Sequence, residues 1–336
     1  MSAGNGAAFS PAYLEQLQEA LTFIRGGNRF LVVSHVQPDG DAISSTNVVG
    51  WLLEQLGKEA VLMNEGKVPV RLQFMDRSAS IINYSSIQPT DKFDRIIAID
   101  CADFRRIGLV SSLFTEDAQL LNIDHHPTND AFGTANLIRV DAAATVEILY
   151  DLIEYGAVQL DKEVATAIYT GLLTDTGGFR YSNTTPRVMH IASRMLEQGA
   201  PAHFIANLLL EMMTKAQLLI LQRGLSRLLF SEDNKIASLY ITHADMAETG
   251  AVGDDLEGLV NYALNVEGVE VGILLKETEN GEVKVSMRSA GKVDVSAIAQ
   301  SFGGGGHVRA AGCRLAHGIP ETATLVVNAV REALDK

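Results

Sequence analysis

Cysteine is nearly absent: the chain holds Cys101 and Cys313, far apart in sequence, with no second thiol near either. That scarcity excludes a disulfide framework and a zinc–thiolate site, and it fits a reducing cytoplasm. Cys101 stands beside Asp100, and its simplest reading is a small buried hydrophobe rather than a catalytic thiol. Basic charge is scarce too, with 27 Lys and Arg against 41 Asp and Glu and a formal net charge of −14. This excludes a protein that grips long nucleic acid, duplex included, along a basic track, because such binding is largely phosphate neutralisation. A short anionic substrate stays open, since metal ions and a few local arginines can neutralise its phosphates. No uncharged apolar run is long enough to span a membrane. Met1–Ser10 has no basic stretch followed by an apolar core, so no signal peptide is expected. The leucine-rich stretch Ile205–Phe230 is interrupted by Glu211, Lys215, Arg223 and Arg227, and reads as one amphipathic connecting helix.

At 336 residues the chain exceeds one ordinary core, so two domains are expected. Pro11 after Ser10 marks the start of a helix over residues 11–25. Phe30–Ser34, Glu59–Met63, Arg95–Asp100 and Gln119–Asp124 read as short strands, with a helix over Asp41–Leu56 between the first two. Strands alternating with helices point to a parallel sheet covered on both faces. Ala142–Glu154, Asp161–Leu173 and a segment from Thr185-Pro186 then read as consecutive helices. Beyond Lys235 the pattern changes. Ile236–Ile241, Glu270–Lys276 and Val283–Arg288 are strand-like, the last two joined by an Asn280-Gly281 turn. A helix over Val295–Phe302 stops at four glycines, followed by a strand over Ala310–Leu315 and a helix over Glu321–Leu334. The fold class is therefore α/β. A parallel-sheet catalytic domain covers residues 11–195, a helical linker 196–230, and a smaller mixed-sheet α/β domain 231–336.

Four runs end in residues that can bind metal. His35-Val36-Gln37-Pro38-Asp39-Gly40-Asp41 follows the apolar Phe30–Val33, and Asp100 ends Arg95–Ile99. Asp124-His125-His126 ends Gln119–Ile123, and Asp175 follows Ala167–Leu173. Parallel strands end on a shared edge, where α/β sheets bind ligands. Singly, each feature is ordinary: an Asp-Gly turn, a helix cap, a satisfied histidine. Their coincidence at one edge points to two divalent ions bridged by a carboxylate and an attacking water, the arrangement for hydrolysis at phosphorus. His35 and Asp39 could hold the first ion, Asp41 and His125 the second, with Asp100 bridging and Asp175 completing the second shell. Gly40 would permit the bend between Asp39 and Asp41. Two histidines with four carboxylates suit Mn²⁺ best, with Mg²⁺ or Co²⁺ as substitutes.

A second cluster, Gly303-Gly304-Gly305-Gly306-His307-Val308-Arg309-Ala310-Ala311-Gly312, reads as a loop whose backbone must approach something closely. Its successive N–H groups could form an anion-binding nest, with His307 and Arg309 as further donors. Arg288 in Ser286-Met287-Arg288-Ser289 is a candidate for a second phosphate clamp.

Together these segments resemble the DHH phosphoesterase superfamily. His35-x-x-x-Asp39-x-Asp41, Asp100, Asp124-His125-His126 and Asp175 look like its four motifs, and the glycine run with His307 looks like the signature of its associated C-terminal domain. The resemblance implies that His35, Asp39 and Asp100 bind one Mn²⁺, while Asp41, Asp100, His125 and Asp175 bind the other. It further implies that His126 faces the substrate phosphate and that Asp124 orients the histidine pair. Thr174–Thr184 and the compact length are similar to the nanoRNase/pAp phosphatases. A processive RecJ-type exonuclease would be expected to carry a further nucleic-acid-binding domain, which this sequence does not supply. The activity so implied is hydrolysis of short RNA or dinucleotides, about two to five nucleotides long, to mononucleotides, with 3′-phosphoadenosine 5′-phosphate (pAp) as an additional substrate. The substrate would lie in a cleft between domains, its distal phosphate held by Arg288, Gly303–Gly306, His307 and Arg309. Rival readings are a phosphodiesterase of linear or cyclic dinucleotides, an exopolyphosphatase, or a catalytically silent nucleotide binder. Homodimer formation stays open.

Overall fold

The computed structural model describes residues 9–335, so most of the Met1–Ser10 segment expected to lack a signal peptide lies outside the described residues. The chain divides into two compact units, at Met212/Met213. In the first, α1 (Pro11–Gly26) leads into β1 (Arg29–Val33), α2 (Gly40–Gln55), β2 (Glu59–Asn64), β3 (Ile82–Asn83), β4 (Phe93–Ile99), β5 (Phe114–Asp124) and β6 (Ala135–Ile138). Four helices follow: α3 (Thr145–Tyr155), α4 (Lys162–Asp175), α5 (Pro186–Glu197) and the short α6 (Ala202–Ala206). Ser10 caps α1 as its sequence implies, its hydroxyl accepting from the Tyr13 amide at 3.2 Å.

All six strands run parallel in the order β3-β2-β1-β4-β5-β6. Chain order reverses between β1 and β4, the switch point where a crevice opens at the carboxyl ends of the strands. Phe30, Val32, Ile97, Ile99, Leu121 and Ile123 pack one face against the helices. The opposite face, carrying Leu31, Val33, Ile96 and Ala98, is covered not by α-helices but largely by a 3₁₀ segment, Phe104–Leu113. Gly108 at φ 69° breaks that segment's helical path, which is why no amphipathic repeat announced it. Cys101 lies fully buried in this layer, and burial pushes its thiol up, as suits an inert hydrophobe.

The second unit contains α7 (Lys215–Leu225), β7 (Leu229–Phe230), β8 (Ile236–Ile241), α8 (His243–Thr249), α9 (Leu259–Leu264), β9 (Val271–Glu277), β10 (Val283–Ser289), α10 (Val295–Ser301), β11 (Gly305–His307), β12 (Ala310–Leu315) and α11 (Ile319–Leu334). Its sheet is mixed, in the order β11-β12-β10-β9-β8-β7, with only β8 and β9 parallel. Val283, Val285, Met287, Cys313 and Leu315 pack one face against α10 and α11. Ala237, Leu239, Ile241 and Leu274 pack the other against α7 and α9.

Two expectations need correction. The stretch Ile205–Phe230 is not one helix: α6 passes into a π turn at Asn207–Glu211, the backbone turns extended at Met212, and α7 starts at Lys215 behind its own cap, Thr214. Each half serves its own unit, since Ile205 is in the first core while Ile220 and Leu221 are in the second. Among the described residues no single helix is long and apolar enough to cross a membrane. The glycine run is also not a loop throughout, because Gly305–His307 pairs with Ala310–Gly312 as a tight hairpin turning at Val308-Arg309. Glycine is required there by close approach: a Cβ on Gly304 would fall 2.2 Å from the Gly312 carbonyl oxygen, and one on Gly306 2.5 Å from that of Ala310.

The second unit has a built-in acid sensitivity. Asp245 is buried at the start of α8, accepting from the Thr242 amide at 2.8 Å, from the Thr242 hydroxyl at 2.7 Å and from both terminal nitrogens of Arg227. The Arg227 fork holds its carboxyl well below the usual range, against burial. A depressed folded pKa means that the stabilisation is present above pH ~4 and is lost as pH falls through the folded value. Asp245→Asn is expected to destabilise this unit by about 1.5–3 kcal/mol at neutral pH. Thermal unfolding should show the gap from wild type narrowing below pH ~4; a pH-independent gap would contradict the assignment.

Candidate metal centre

Each metal-binding candidate of the first unit sits at an element terminus on the carboxyl edge of the sheet. His35 follows β1, Asp100 follows β4, and Asp124 is the last residue of β5, with His125 and His126 beyond it. Asp39 caps α2, accepting from the Ala42 amide at 3.1 Å, and Asp41 lies in the first turn. Asp175 ends α4. Gly40 serves clearance rather than a bend, since it already belongs to α2 and a Cβ there would lie 2.3 Å from Thr174 Cγ2 of α4. The start of α2 and the end of α4 can therefore meet, which brings Asp41 to Asp175.

Ligand atoms converge in three groups, each within 4.8 Å: His35 with Asp39 and Asp100; Asp41 with His125 and Asp175; and Asp100 with His125 and His126. Asp100 is common to two of them. Its Oδ2 lies 3.5 Å from His35 Nε2, and its Oδ1 3.6 Å from His125 Nε2. His125 Nε2 also lies 3.5 Å from Asp175 Oδ2, and His35 Nε2 3.8 Å from Asp39 Oδ1. These separations are too long for good hydrogen bonds and suit donor atoms arrayed around a common cation. Asp100 adopts φ 58°, an uncommon conformation outside glycine that concentrates at functional sites.

The electrostatics favour a cation. Both ring nitrogens of His35 are buried without a hydrogen-bond partner, an arrangement costly for an imidazole unless a ligand fills it. Burial drives the Asp41 and Asp175 carboxyls well above the usual range, and neighbouring acids push the same way: Asp100 on Asp41, and Asp41 with Asp100 on Asp175. Burial would also raise Asp100, but His35, His125 and His126 outweigh it and hold that carboxyl at about 2. For His35, burial lowers the pKa, and Asp100 and Asp39 reverse this to about 9. Four carboxylates and two imidazoles crowded in this way are a donor set for divalent ions of intermediate hardness.

The two adjacent histidines are oriented separately. His126 Nδ1 lies 2.7 Å from Asp124 Oδ1, and Asp124 Oδ2 accepts from Asn129 Nδ2 at 2.6 Å. His125 Nδ1 instead faces the Ala142 carbonyl at 3.3 Å, so Asp124 bonds one histidine, not the pair. Asp124, fully buried, thereby leaves His126 Nε2 available.

Several residues at the centre lie outside the four metal motifs. Thr145, at the start of α3, donates from its hydroxyl to Asp100 Oδ1 at 3.0 Å, and its amide donates to Asp41 Oδ2 at 2.6 Å. The Val146 amide donates to Asp41 Oδ1 at 3.1 Å, so Asp41 caps α3 across the fold. Asn183 Nδ2 donates to the Asp175 carbonyl at 3.1 Å. Half-buried Arg106 acts electrostatically on His126, yet its guanidinium has no hydrogen bond or ion pair among the described residues. The only sequence signal for Arg106 is its nearness to Asp100; Thr145 follows three alanines and offers none. Thr145→Val, nearly isosteric, is expected to weaken Mn²⁺ binding about 10–100-fold while Thr145→Ser restores it, as read by electron paramagnetic resonance titration. Equal affinity for Val and wild type would remove Thr145 from the centre's support.

The second unit places its candidates on adjacent strands. Arg288 of β10 lies opposite Ala310 of β12, which in turn lies opposite His307 of β11. Arg309 occupies the hairpin turn beside Gly291, where a Cβ would fall 3.0 Å from its Nη2. The expected nest is reduced: the Gly303 and Gly304 amides already donate to the Gln300 and Ala299 carbonyls, ending α10. Arg180 and Tyr181 fold back locally, Arg180 Nε donating to the Gly177 carbonyl at 2.5 Å and the Tyr181 ring covering Gly177.

Comparison with known proteins matches residues 29–172 to the DHH family, N-terminal domain, and residues 233–336 to the DHHA1 domain. A Thermus thermophilus protein named bifunctional oligoribonuclease and PAP phosphatase NrnA is 34% identical over 99% of this chain and 98% of its own length. A Bacillus subtilis protein of the same name is 26% identical over 84% of this chain and 87% of its own. Among solved structures, an exopolyphosphatase-related protein from Bacteroides fragilis superposes with a TM-score of 0.87 at 26% identity, covering 96% of each chain.

Proposed function

Because this chain belongs to the DHH family of phosphoesterases, with a DHHA1 domain following its DHH domain, we propose that it hydrolyses short single-stranded RNA to mononucleotides and removes the 3′-phosphate of pAp. The observation that carries the reading is the pair of ligand groups, His35–Asp39–Asp100 and Asp41–His125–Asp175, on one sheet edge beside an oriented His126. The near full-length similarity to a relative named for these two activities supports the choice of substrate.

The first group would hold one Mn²⁺ and the second another, with Asp100 shared. Bound divalent ions supply charge neutralisation at the phosphoryl oxygens and a lowered pKa for the attacking water. The chain's own residues do the rest. Asp124 accepts from His126 Nδ1–H, which directs Nε2 towards a phosphoryl or leaving oxygen and raises the proton affinity of the ring, against burial. Arg106 would supply countercharge beside it. Arg288, His307, Arg309 and the glycine hairpin would hold a further phosphate of the substrate.

Hydrolysis rates on pApA, pAp, cyclic di-AMP, polyphosphate and a long single-stranded RNA, with Mn²⁺ and with metal-stripped enzyme, test the reading. Fast turnover of pApA and pAp only with metal is expected. Turnover of polyphosphate alone would overturn it, and preference for cyclic di-AMP would redirect it to dinucleotide messengers. Arg288→Ala should reduce pApA turnover by about 10²-fold, and that of a small activated phosphodiester, which needs no distal clamp, by no more than about threefold. Equal losses on both would contradict the phosphate clamp at Arg288.

A further inference from the structure

The outward half of the second sheet carries an arrangement that the distal clamp does not explain. Lys276 of β9 lies directly opposite Lys284 of β10, and Lys284 directly opposite Arg314 of β12. Directly paired residues share a face, so three cations stand side by side across three adjacent strands. Lys284 and Arg314 are exposed and Lys276 is half-buried. Like charges in direct cross-strand register are destabilising. The relief available is small: Arg314 reaches Glu282 at 4.0 Å, and neither lysine has an ion pair among the described residues. Guarding of a sheet edge does not account for the two lysines, because β9 and β10 are interior strands; Arg314 lies past the end of β11, which pairs only with Ala310–Gly312, so β12 is open to solvent beside it. In a chain of net charge −14, such a row is an anomaly that calls for an anionic ligand.

Its position gives the ligand's form. Residues two apart on a strand share a face, so Lys284, Ser286 and Arg288 point the same way. Arg288 belongs to the row containing Ala310 and His307, and Ser286 to an intervening row with Gly312 and Gly305. Small side chains thus floor the space between two basic rows. Helix α9 covers β8 and β9 on this face, while Lys284, Arg314 and His307 remain exposed. Four residues of extended strand separate the rows by about 13–14 Å, on the order of two nucleotides of extended single strand.

We propose that Lys276, Lys284 and Arg314 form a second phosphate subsite, which takes the backbone of a single-stranded RNA beyond the phosphate held at Arg288 and His307. This rests on the oligoribonuclease reading and deepens it: the first row sets the minimum substrate, and the second makes affinity increase with length. Fluorescence anisotropy with 3′-labelled oligoadenylates of about two to five nucleotides, in chelator so that nothing is cleaved, tests it on the full chain. Wild type should bind the longest about tenfold more tightly than the dinucleotide. Lys284→Ala/Arg314→Ala should abolish that gain, change dinucleotide affinity by less than about twofold, and lower the salt slope for the longest by about one. The melting temperature should stay unchanged or rise, because a repulsive pair has been removed. Equal losses at every length, or an undiminished gain with length, would overturn the subsite. A chain that binds these oligomers with the expected length dependence but cleaves none in Mn²⁺ would refute the proposed activity and leave the subsite standing.

Discussion

Asp100→Asn is expected to lower kcat on pApA by at least about 10³-fold and to cut bound Mn²⁺ from two ions to one or fewer per chain. The size of the effect follows from the position of Asp100, whose two carboxylate oxygens face different histidines, His35 and His125, at 3.5 and 3.6 Å. Loss of one carboxylate thus removes a donor from the two groups that contain it, His35–Asp39–Asp100 and Asp100–His125–His126. It also leaves the buried His35 imidazole without its principal counter-charge. Asparagine is the informative replacement, because it tolerates the left-handed backbone at φ 58° that alanine resists. Folding should therefore persist while metal and activity are lost. Metal stoichiometry by paramagnetic resonance and single-substrate kinetics check the two halves. Unchanged hydrolysis in Mn²⁺-replete buffer would sink the assignment of Asp100 as a shared ligand.

Asp151→Ala should have the largest effect on stability, about 3–5 kcal/mol in the first unit. The Asp151 side chain is fully buried and accepts from Arg139, from Arg187 and, at 2.9 Å, from the Tyr13 hydroxyl. Glu147, also buried, pairs with Arg139, lies 3.3 Å from Arg187 Nε and accepts from the Ala143 amide at 2.8 Å. Two acids and two arginines so arranged tie α1, α3 and α5 to the segment leaving β6. Removal of Asp151 leaves two guanidiniums with Glu147 as their one buried acid among the described residues, whereas the intact network is close to balanced. A fall in the unfolding midpoint on the order of 10 °C is expected by calorimetry. The same segment delivers the Ala142 carbonyl to His125 and Thr145 to Asp100, so Mn²⁺ affinity should weaken as well. An unchanged midpoint would show that the network contributes little.

Periodicity and end signals made most of the first unit legible. Strands β1, β2, β4 and β5 and helices α1 to α5 lie where apolar runs, caps and Pro-at-start patterns put them. Short elements escaped: two-residue β3, four-residue β6, and α8 and α9 carry too few residues to show a period. The leucine-rich stretch after Ala202 misled because its composition favours helix throughout, and the break at Met212 is made by each half packing into a different core. Four successive glycines suggested a loop for the opposite reason. The value of Gly304 and Gly306 lies in bringing strand backbones within a distance that any Cβ would block, which only the partner strand reveals.

The amino-acid sequence by itself determined the chemistry of this protein, because acids and histidines placed after apolar strand runs must gather at one edge once the strands align in parallel. It also determined the class of fold, through the alternation of strand and helix patterns. Which atoms face one another was decided only in three dimensions. Thr145 reaches Asp100 across 45 residues of chain, and Lys276, Lys284 and Arg314 form a row only through strand register. Such pairings depend on long-range packing and on hydrogen-bond ladders, and no local pattern of residues encodes them.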